Sequence, residues 1–233
     1  MIQKLKAHLK KLRADLKPMT FKEKLDHLWS YYKEVLLVVG LVVLTICVMV
    51  SSIVNMNTET LAYGVLGNVS CSVKGYSYLT EDYFAEITQN PKREQVILDS
   101  VAFEDPALAE DTDMNYQASM RLIALVSAKM VDYMFLDHYT MEFYISDDFY
   151  MDLREMLPQE ELEALKSDFI YAQPETFDEM FPVAIDVSEL PYVKENIRTG
   201  DEDTRVYLAF AANTQRPETC LQIWERIKAW QPQ

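Results

Sequence analysis

Apolar residues fall along this chain in three different rhythms. Ile2, Leu5, Leu9, Leu12 and Leu16 are spaced three, four, three and four apart, with Lys4, Lys6, Lys10, Lys11, Arg13 and Lys17 around the remaining positions. That is the period of one helical stripe, so a basic amphipathic helix is expected there. It suits an anionic bilayer surface, which attracts each nearby basic residue by about 1 kcal/mol. The same spacing fits an a/d heptad, but so short a stretch is too brief to hold a coiled coil alone. Pro18 ends the pattern, and Thr20, Phe21, Lys22 and Glu23 then make a capping box that predicts a second helix from Phe21.

The second rhythm has no polar beat. Residues 35–54, VLLVVGLVVLTICVMVSSIV, contain no Asp, Glu, Lys or Arg. Twenty helical residues rise roughly 30 Å, the thickness of a bilayer's hydrocarbon core, so a single membrane-spanning helix is expected. Trp29, Tyr31 and Tyr32 stand just before it, where amphipathic rings favour the headgroup layer. A cleaved signal peptide fits less well, because the basic segment is long and the apolar run exceeds an ordinary h-region. Lipidation at Cys47 fits poorly too, since Ile46 is bulky where a small residue belongs. Cys47 reads as a small apolar residue of the helix.

After residue 54 the apolar runs become short and alternate in type. Residues 61–66, 95–103, 131–136, 181–187 and 205–212 are rich in Val, Ile, Tyr and Phe and read as strands. Residues 80–88, 116–129, 159–166 and 218–230 carry three-to-four apolar spacing and read as helices, with Pro158 and Pro217 where a first turn tolerates proline. Alternating strands and helices predict an α/β domain with a mixed, mostly parallel sheet. Its 179 residues suffice for one core. The expected organisation is a basic amphipathic segment at 1–34, a transmembrane helix at 35–54, a tether at 55–60 and an α/β domain at 61–233.

Charge orients this arrangement. Nine Lys or Arg against four Asp or Glu precede residue 35, a net of +5, while 13 against 33 follow residue 54, a net of −20. Basic residues near a span stay on the cytoplasmic side. The N-terminus is therefore expected inside and the acidic domain outside, in the cell membrane.

Few patterns of reaction chemistry are present. The chain has five glycines and lacks a Gly-x-Ser-x-Gly elbow, a phosphate-cradling loop, a Cys-x-x-Cys pair and a His-Glu-x-x-His helix. His138 is the one histidine of the outer region, and it has no partner in a recognisable constellation. The acidic clusters at 110–113, 147–148 and 201–203 lack the spacing of a calcium loop and read as solvated loops. Aromatic residues crowd 138–153, with Phe143, Phe149 and Leu153 expected in the core. Asn68-Val69-Ser70 matches a glycan acceptor. Cys71 and Cys220 both lie outside, where a disulfide between them is one possibility and two thiols the other. An enzyme is not expected, nor a cofactor, a metal or a nucleic-acid partner.

The order of residues carries a resemblance. Residues 20–34, TFKEKLDHLWSYYKE, followed at once by a span, look like the opening of a group of uncharacterised single-span membrane proteins of Gram-positive anaerobic bacteria. The outer region resembles a shortened extracellular solute-binding protein of the periplasmic type II kind. The matching stretches are 119–137 (SMRLIALVSAKMVDYMFLD), 149–157 (FYMDLREML), 181–191 (FPVAIDVSELP) and 207–227, in which NTQRPE precedes a helix. Two departures stand beside them: 179 residues are short for two lobes, and Ala128-Lys129-Met130-Val131-Asp132 stands where Gly-Asp is usual. The resemblance implies a membrane-anchored binding or sensing module. Its ligand contacts would lie at predicted strand ends, at Asp137, His138, Tyr139 and Asp186. Besides the lipid bilayer, the expected partner is a small solute or peptide, or another membrane protein. The alternative is a structural or interaction component at the cell surface with no small ligand.

Overall fold

The helix that the capping box predicts starts where expected and does not stop at the apolar run. In the computed structural model, which describes residues 20–56, 58–103, 112–145, 148–173, 179–200 and 205–232, helix α1 is continuous from Phe21 to Met56. Proline is absent from it, and the Thr45 hydroxyl is satisfied within the helix by donating to the Leu41 carbonyl at 2.9 Å. Among the described residues no helix is long and apolar enough to cross a membrane. The helical backbone of α1 includes residues 35–54. The amphipathic stretch at 2–16 lies outside the described residues.

The chain divides into two units, Met1–Asn57 and Thr58–Gln233. In the second unit β1 (Glu59–Gly67) leads through β2 (Val69–Cys71) into α2 (Val73–Ser77), a π turn at Tyr78–Asp82 and α3 (Tyr83–Ile87). Strand β3 (Glu94–Val101), α4 (Thr112–Ser127), β4 (Tyr133–Asp137) and α5 (His138–Phe143) follow. After a 3-10 turn at Leu153–Glu155 come α6 (Gln159–Ala164), β5 (Phe169–Ala172), β6 (Phe181–Asp186), α7 (Pro191–Asn196), β7 (Ile197–Thr199), β8 (Val206–Phe210) and α8 (Pro217–Ala229). Strand β1 begins at Glu59, so only Asn57 and Thr58 separate it from α1, a shorter connection than the tether expected at 55–60.

Six strands form one sheet in the order β3-β1-β4-β8-β6-β5, and β2 and β7 make a separate antiparallel ribbon. The pairs β3–β1 and β1–β4 are parallel. The pairs β4–β8, β8–β6 and β6–β5 are antiparallel, so the sheet is mixed and four of its six strands run the same way. The central strands YMFLD (β4) and VYLAF (β8) are buried at every position. Their unbroken apolar runs reflect helices covering both faces, which removes the alternation of a half-exposed strand.

Side chains of alternating parity fill two cores. Leu79, Tyr133, Phe135, Leu208, Phe210, Ile223 and Trp224 belong to one, and Val65, Leu122, Val126, Met134, Leu136 and Ala209 to the other. Helix α8 closes the first with Cys220, Ile223, Trp224 and Ile227, one helical stripe. Gly64 is needed where β1 meets β4, because the Tyr133 ring lies across it. A Cβ there would stand 2.3 Å from Tyr133 Cζ.

The edge strand β3 is blunted. Asp99 accepts the Ser100 N–H at 2.9 Å and the Arg121 guanidinium at 2.5 Å, and Arg121 reaches the Ser100 carbonyl. These contacts occupy backbone groups that an added strand would need. The unit is single, with one central sheet, so the described residues contain no second lobe of the kind a two-lobed solute-binding protein has.

Candidate functional site

Three of the four residues expected to bind a ligand converge on one edge of the sheet. Because β8 enters antiparallel, its start lies between the ends of β4 and β6: Asp137 is opposite Val206, Leu136 is opposite Tyr207, and Tyr207 is opposite Asp186. This places Asp137, His138 and Asp186 around the first residues of β8. Open α/β sheets present this edge to ligands.

Each of the three has work within the fold. Asp137 is buried, and its Oδ1 accepts the Thr140 N–H at 2.8 Å, capping α5. Its Oδ2 accepts from the Asn68 side-chain amide at 2.6 Å. Asn68 takes a positive φ of 60°, donates its own N–H to the Val101 carbonyl and accepts the Phe103 N–H through Oδ1. One carboxylate and one amide thus tie the ends of β1, β3 and β4 together. The match to a glycan acceptor at Asn68 coincides with a side chain held inside this knot.

His138 is more open. Its Nδ1 lies 3.4 Å from the Tyr207 hydroxyl and its Nε2 lies 3.2 Å from Glu142 Oε1, with over half of the imidazole exposed. Burial, and then the Asp186 charge, raise the Tyr207 phenol above its usual range. Asp186 accepts from both the N–H and hydroxyl of Ser188 through Oδ1, and Oδ2 receives Arg205 at 2.5 Å. Tyr139 is placed differently. It packs against Phe143, with ring centroids 6.2 Å apart, beside the core that α4 and α5 cover.

A cavity of about 740 Å³ opens beside Asp186. Ile185, Leu190, Val193, Ile197 and Trp224 make an apolar floor, and Asp168, Glu189, Lys194, Arg198 and Arg205 bring charges of both signs to its rim. Lys194 is held by Glu189 at 2.6 Å. Arg198 donates to the carbonyls of Lys194, Glu195 and Ile197 at the end of α7, and no carboxylate holds it among the described residues. An apolar floor with few oriented polar groups is the usual form of a small-molecule site. Asp137, His138 and Tyr139 are not among the residues lining it.

The sequence reading missed the basic half of this rim. Arg205 was open to detection, since it begins the stretch expected as β8, but Lys194 and Arg198 depend on α7 and β7, which are too short to leave a periodic signal. The aromatic segment divides as well. Phe149 and Leu153 are buried as expected, whereas Phe143 is 53% exposed.

Cys71 and Cys220 are both thiols, and the disulfide between them is not formed. Cys71 faces the Tyr192 hydroxyl at 3.8 Å, and Cys220 donates to the Asp132 carbonyl at 3.4 Å. The two sulfurs are thus drawn to different elements. Burial pushes the Cys220 thiol up to about 12 and also raises Cys71, which leaves little thiolate at either. Among the described residues no group of His, Cys, Asp and Glu could hold a metal ion. Glu110, Asp111, Asp147 and Asp201–Asp203, from the acidic clusters, lie outside the described residues.

At the opposite edge of the sheet lies a fully buried carboxylate whose role the sequence reading did not foresee. Asp132 accepts the Tyr63 N–H at 2.8 Å, the Thr214 hydroxyl at 2.6 Å and Arg216 Nε at 3.0 and 3.1 Å. Its only sequence signal is a charged residue at the start of an apolar strand. No protein-family model, curated protein or solved structure matches this chain.

Proposed function

We propose that this protein is a membrane-anchored module that binds or senses a small solute or peptide outside the cell. Residues 35–54 would cross the bilayer within α1, with the basic segment inside and the unit from Thr58 outside, in keeping with the net charges of +5 and −20. The observation that carries the binding reading is the 740 Å³ cavity at the strand ends, with its apolar floor and a rim of both charges. Asp186, Lys194, Arg198 and Arg205 are the contacts proposed there, and His138 neighbours them through Tyr207. Asp137 is assigned to the fold, because its carboxylate is spent on the α5 cap and on Asn68.

The test is a thermal-unfolding screen of the full chain in lipid nanodiscs against sugars, amino acids, peptides and metal ions. A ligand present at a hundred times its Kd adds about 2.7 kcal/mol to the stability of the unit that binds it. At least one class of compound is expected to raise the unfolding temperature, and the double variant Lys194→Ala/Arg205→Ala should lose that rise. If every class leaves the unfolding temperature unchanged, the binding reading is abandoned.

One observation favours the interaction reading in that event. Tyr116, Met120 and Ile123 form an exposed stripe on α4, 40–65% accessible, on a helix whose other side is core. Orientation is tested separately by cysteine labelling in intact cells. Labelling of a site near Gly200 but not near Lys10 is expected, and the reverse would overturn the topology.

A further inference from the structure

The sequence along α1 carries a second periodicity. Phe21, Leu25, Leu28, Tyr32, Val35, Val39, Val42, Ile46, Met49 and Ile53 follow one another at strict four-three spacing on one continuous helix. Within 35–54 nearly every position is apolar, so the repeat there is informative only through its exceptions. Gly40, Thr45, Cys47, Ser51 and Ser52, the small or polar residues of that run, all fall off the stripe. Before residue 35 the repeat discriminates sharply. Its four positions are Phe, Leu, Leu and Tyr, whereas Lys22, Glu23, Lys24, Asp26, His27, Lys33 and Glu34 take others.

We propose that α1 pairs in parallel with α1 of a second copy of this chain along that stripe. A seven-residue repeat seats a and d side chains against an identical helix, and more than three to four heptads of it mark a coiled coil. The stripe exceeds that length. At 1.5 Å per residue it is about 50 Å long, and a contact about 10 Å wide on each partner amounts to on the order of 1,000 Å² in total, the size at which interfaces become specific.

The second copy is the fitting occupant because the proposed topology sets every copy in the membrane with the same orientation and depth. Equivalent positions then meet without a shift in register. Val35, Val39, Val42 and Ile46 are β-branched and stiff, so they lose little side-chain freedom on packing. All four, with Met49, are more than half exposed, as are Leu37, Leu41, Leu44 and Val48 on the opposite face, so the choice of face rests on the repeat and not on exposure. The Thr45 hydroxyl is already used within its own helix, so the pairing rests on shape and not on a polar bridge. In lipid that contribution is packing alone; the apolar positions from Phe21 to Tyr32, in water or headgroups, add hydrophobic burial.

The pairing rests on the membrane reading, and its test separates the two. Individual cysteines are added to full-length protein carrying Cys47→Ser, with its orientation verified by labelling, and oxidised in native membranes; the same protein without an added cysteine measures the background from Cys71 and Cys220. Cross-linked dimer is expected at 35, 39, 42, 46 and 49 several-fold above that at 37, 41, 44 and 48, on the opposite face. Equal cross-linking at all positions, a maximum on the opposite face, or no dimer in correctly oriented protein would each overturn the proposal. The variant Leu25→Glu/Leu28→Glu should shift the detergent-solubilised protein from dimer to monomer by light scattering. It would leave the span itself unchanged.

Discussion

Removing the Asp132 carboxylate should be the most damaging single change among the described polar residues. The side chain is inaccessible and joins four segments: β1 through the Tyr63 N–H, the turn after β8 through Thr214, the approach to α8 through Arg216, and its own place before β4. Asp132→Ala leaves the Tyr63 N–H and the Thr214 hydroxyl without their acceptor, at about 1–3 kcal/mol each. Arg216 is 26% exposed and also donates to the Met130 carbonyl, so water recovers part of its interaction. The expected loss is about 3–4 kcal/mol, toward the lower end for breaking a buried ion pair. For a unit of this size that lowers the unfolding temperature by on the order of 10 °C. Asp132→Asn, which keeps one acceptor oxygen, should lose about half as much.

The pH dependence gives the same site a second, independent reading. Burial pushes the Asp132 carboxyl above its ordinary value, and the hydrogen bonds from Thr214, Tyr63 and Arg216 and the Arg216 charge oppose that rise without cancelling it. A raised acid binds its proton more tightly folded than unfolded. Its contribution to stability is therefore complete below the unfolded value of about 3.9 and is lost as pH rises through the folded one. The advantage of the native chain over Asp132→Asn, measured by chemical denaturation of the two across pH 4–8, should be largest at the acid end. Variants within about 1 kcal/mol of the native chain, or an advantage that grows with pH, would refute this account of the network.

Three further outcomes are expected. Glu161 has the opposite sign: burial raises its carboxyl, but hydrogen bonds from Lys228 at 2.5 Å and Trp224 at 2.6 Å, with the Lys228 charge, outweigh it and hold it low. Its stabilisation is present at neutral pH and lost as pH falls through the folded value, so Glu161→Gln should flatten the acid limb of the stability profile, and an unchanged limb would remove the pair from the account. Gly64→Ala should destabilise by about 1–3 kcal/mol in urea denaturation, as overpacking does, and Tyr133→Leu in the same chain should recover part of the loss. Asp137→Ala removes the α5 cap and the Asn68 acceptor, for about 1–2 kcal/mol. Hydrogen exchange should quicken at Thr140 and near Phe103 together, whereas a change confined to Thr140 would show that Asn68 does not couple the strands.

What the sequence made legible follows from where its signals are local. The five strands expected at 61–66, 95–103, 131–136, 181–187 and 205–212 correspond to β1, β3, β4, β6 and β8, because each is an apolar run long enough to contrast with its flanks. Strands β2 and β7 hold three residues each, and Ser70 and Arg198 in them are exposed; their partners stand more than 120 positions apart, so no window along the chain reveals them. Helix α5 was hidden for a different reason. His138 to Phe143 alternates too briefly to show a helical period, and its start is fixed by Asp137 as N-cap, a role that in sequence looks the same as a ligand-binding acid at a strand end.

That ambiguity explains the fate of the candidate site more generally. An acidic residue at the end of a buried strand serves either a ligand or the next helix, and only the partners decide. Asp137 has the Thr140 N–H and the Asn68 amide within 2.8 Å and is buried, while Asp186, in the same kind of position, reaches Arg205 at the mouth of a cavity. Arg205 is largely exposed, so exchanging its partner for a ligand carboxylate would cost little, since an exposed ion pair contributes only about 0–1 kcal/mol. The weakness of that surface pair would leave Asp186 and Arg205 free for the recognition proposed above, whereas both oxygens of Asp137 are already taken by the α5 cap and Asn68.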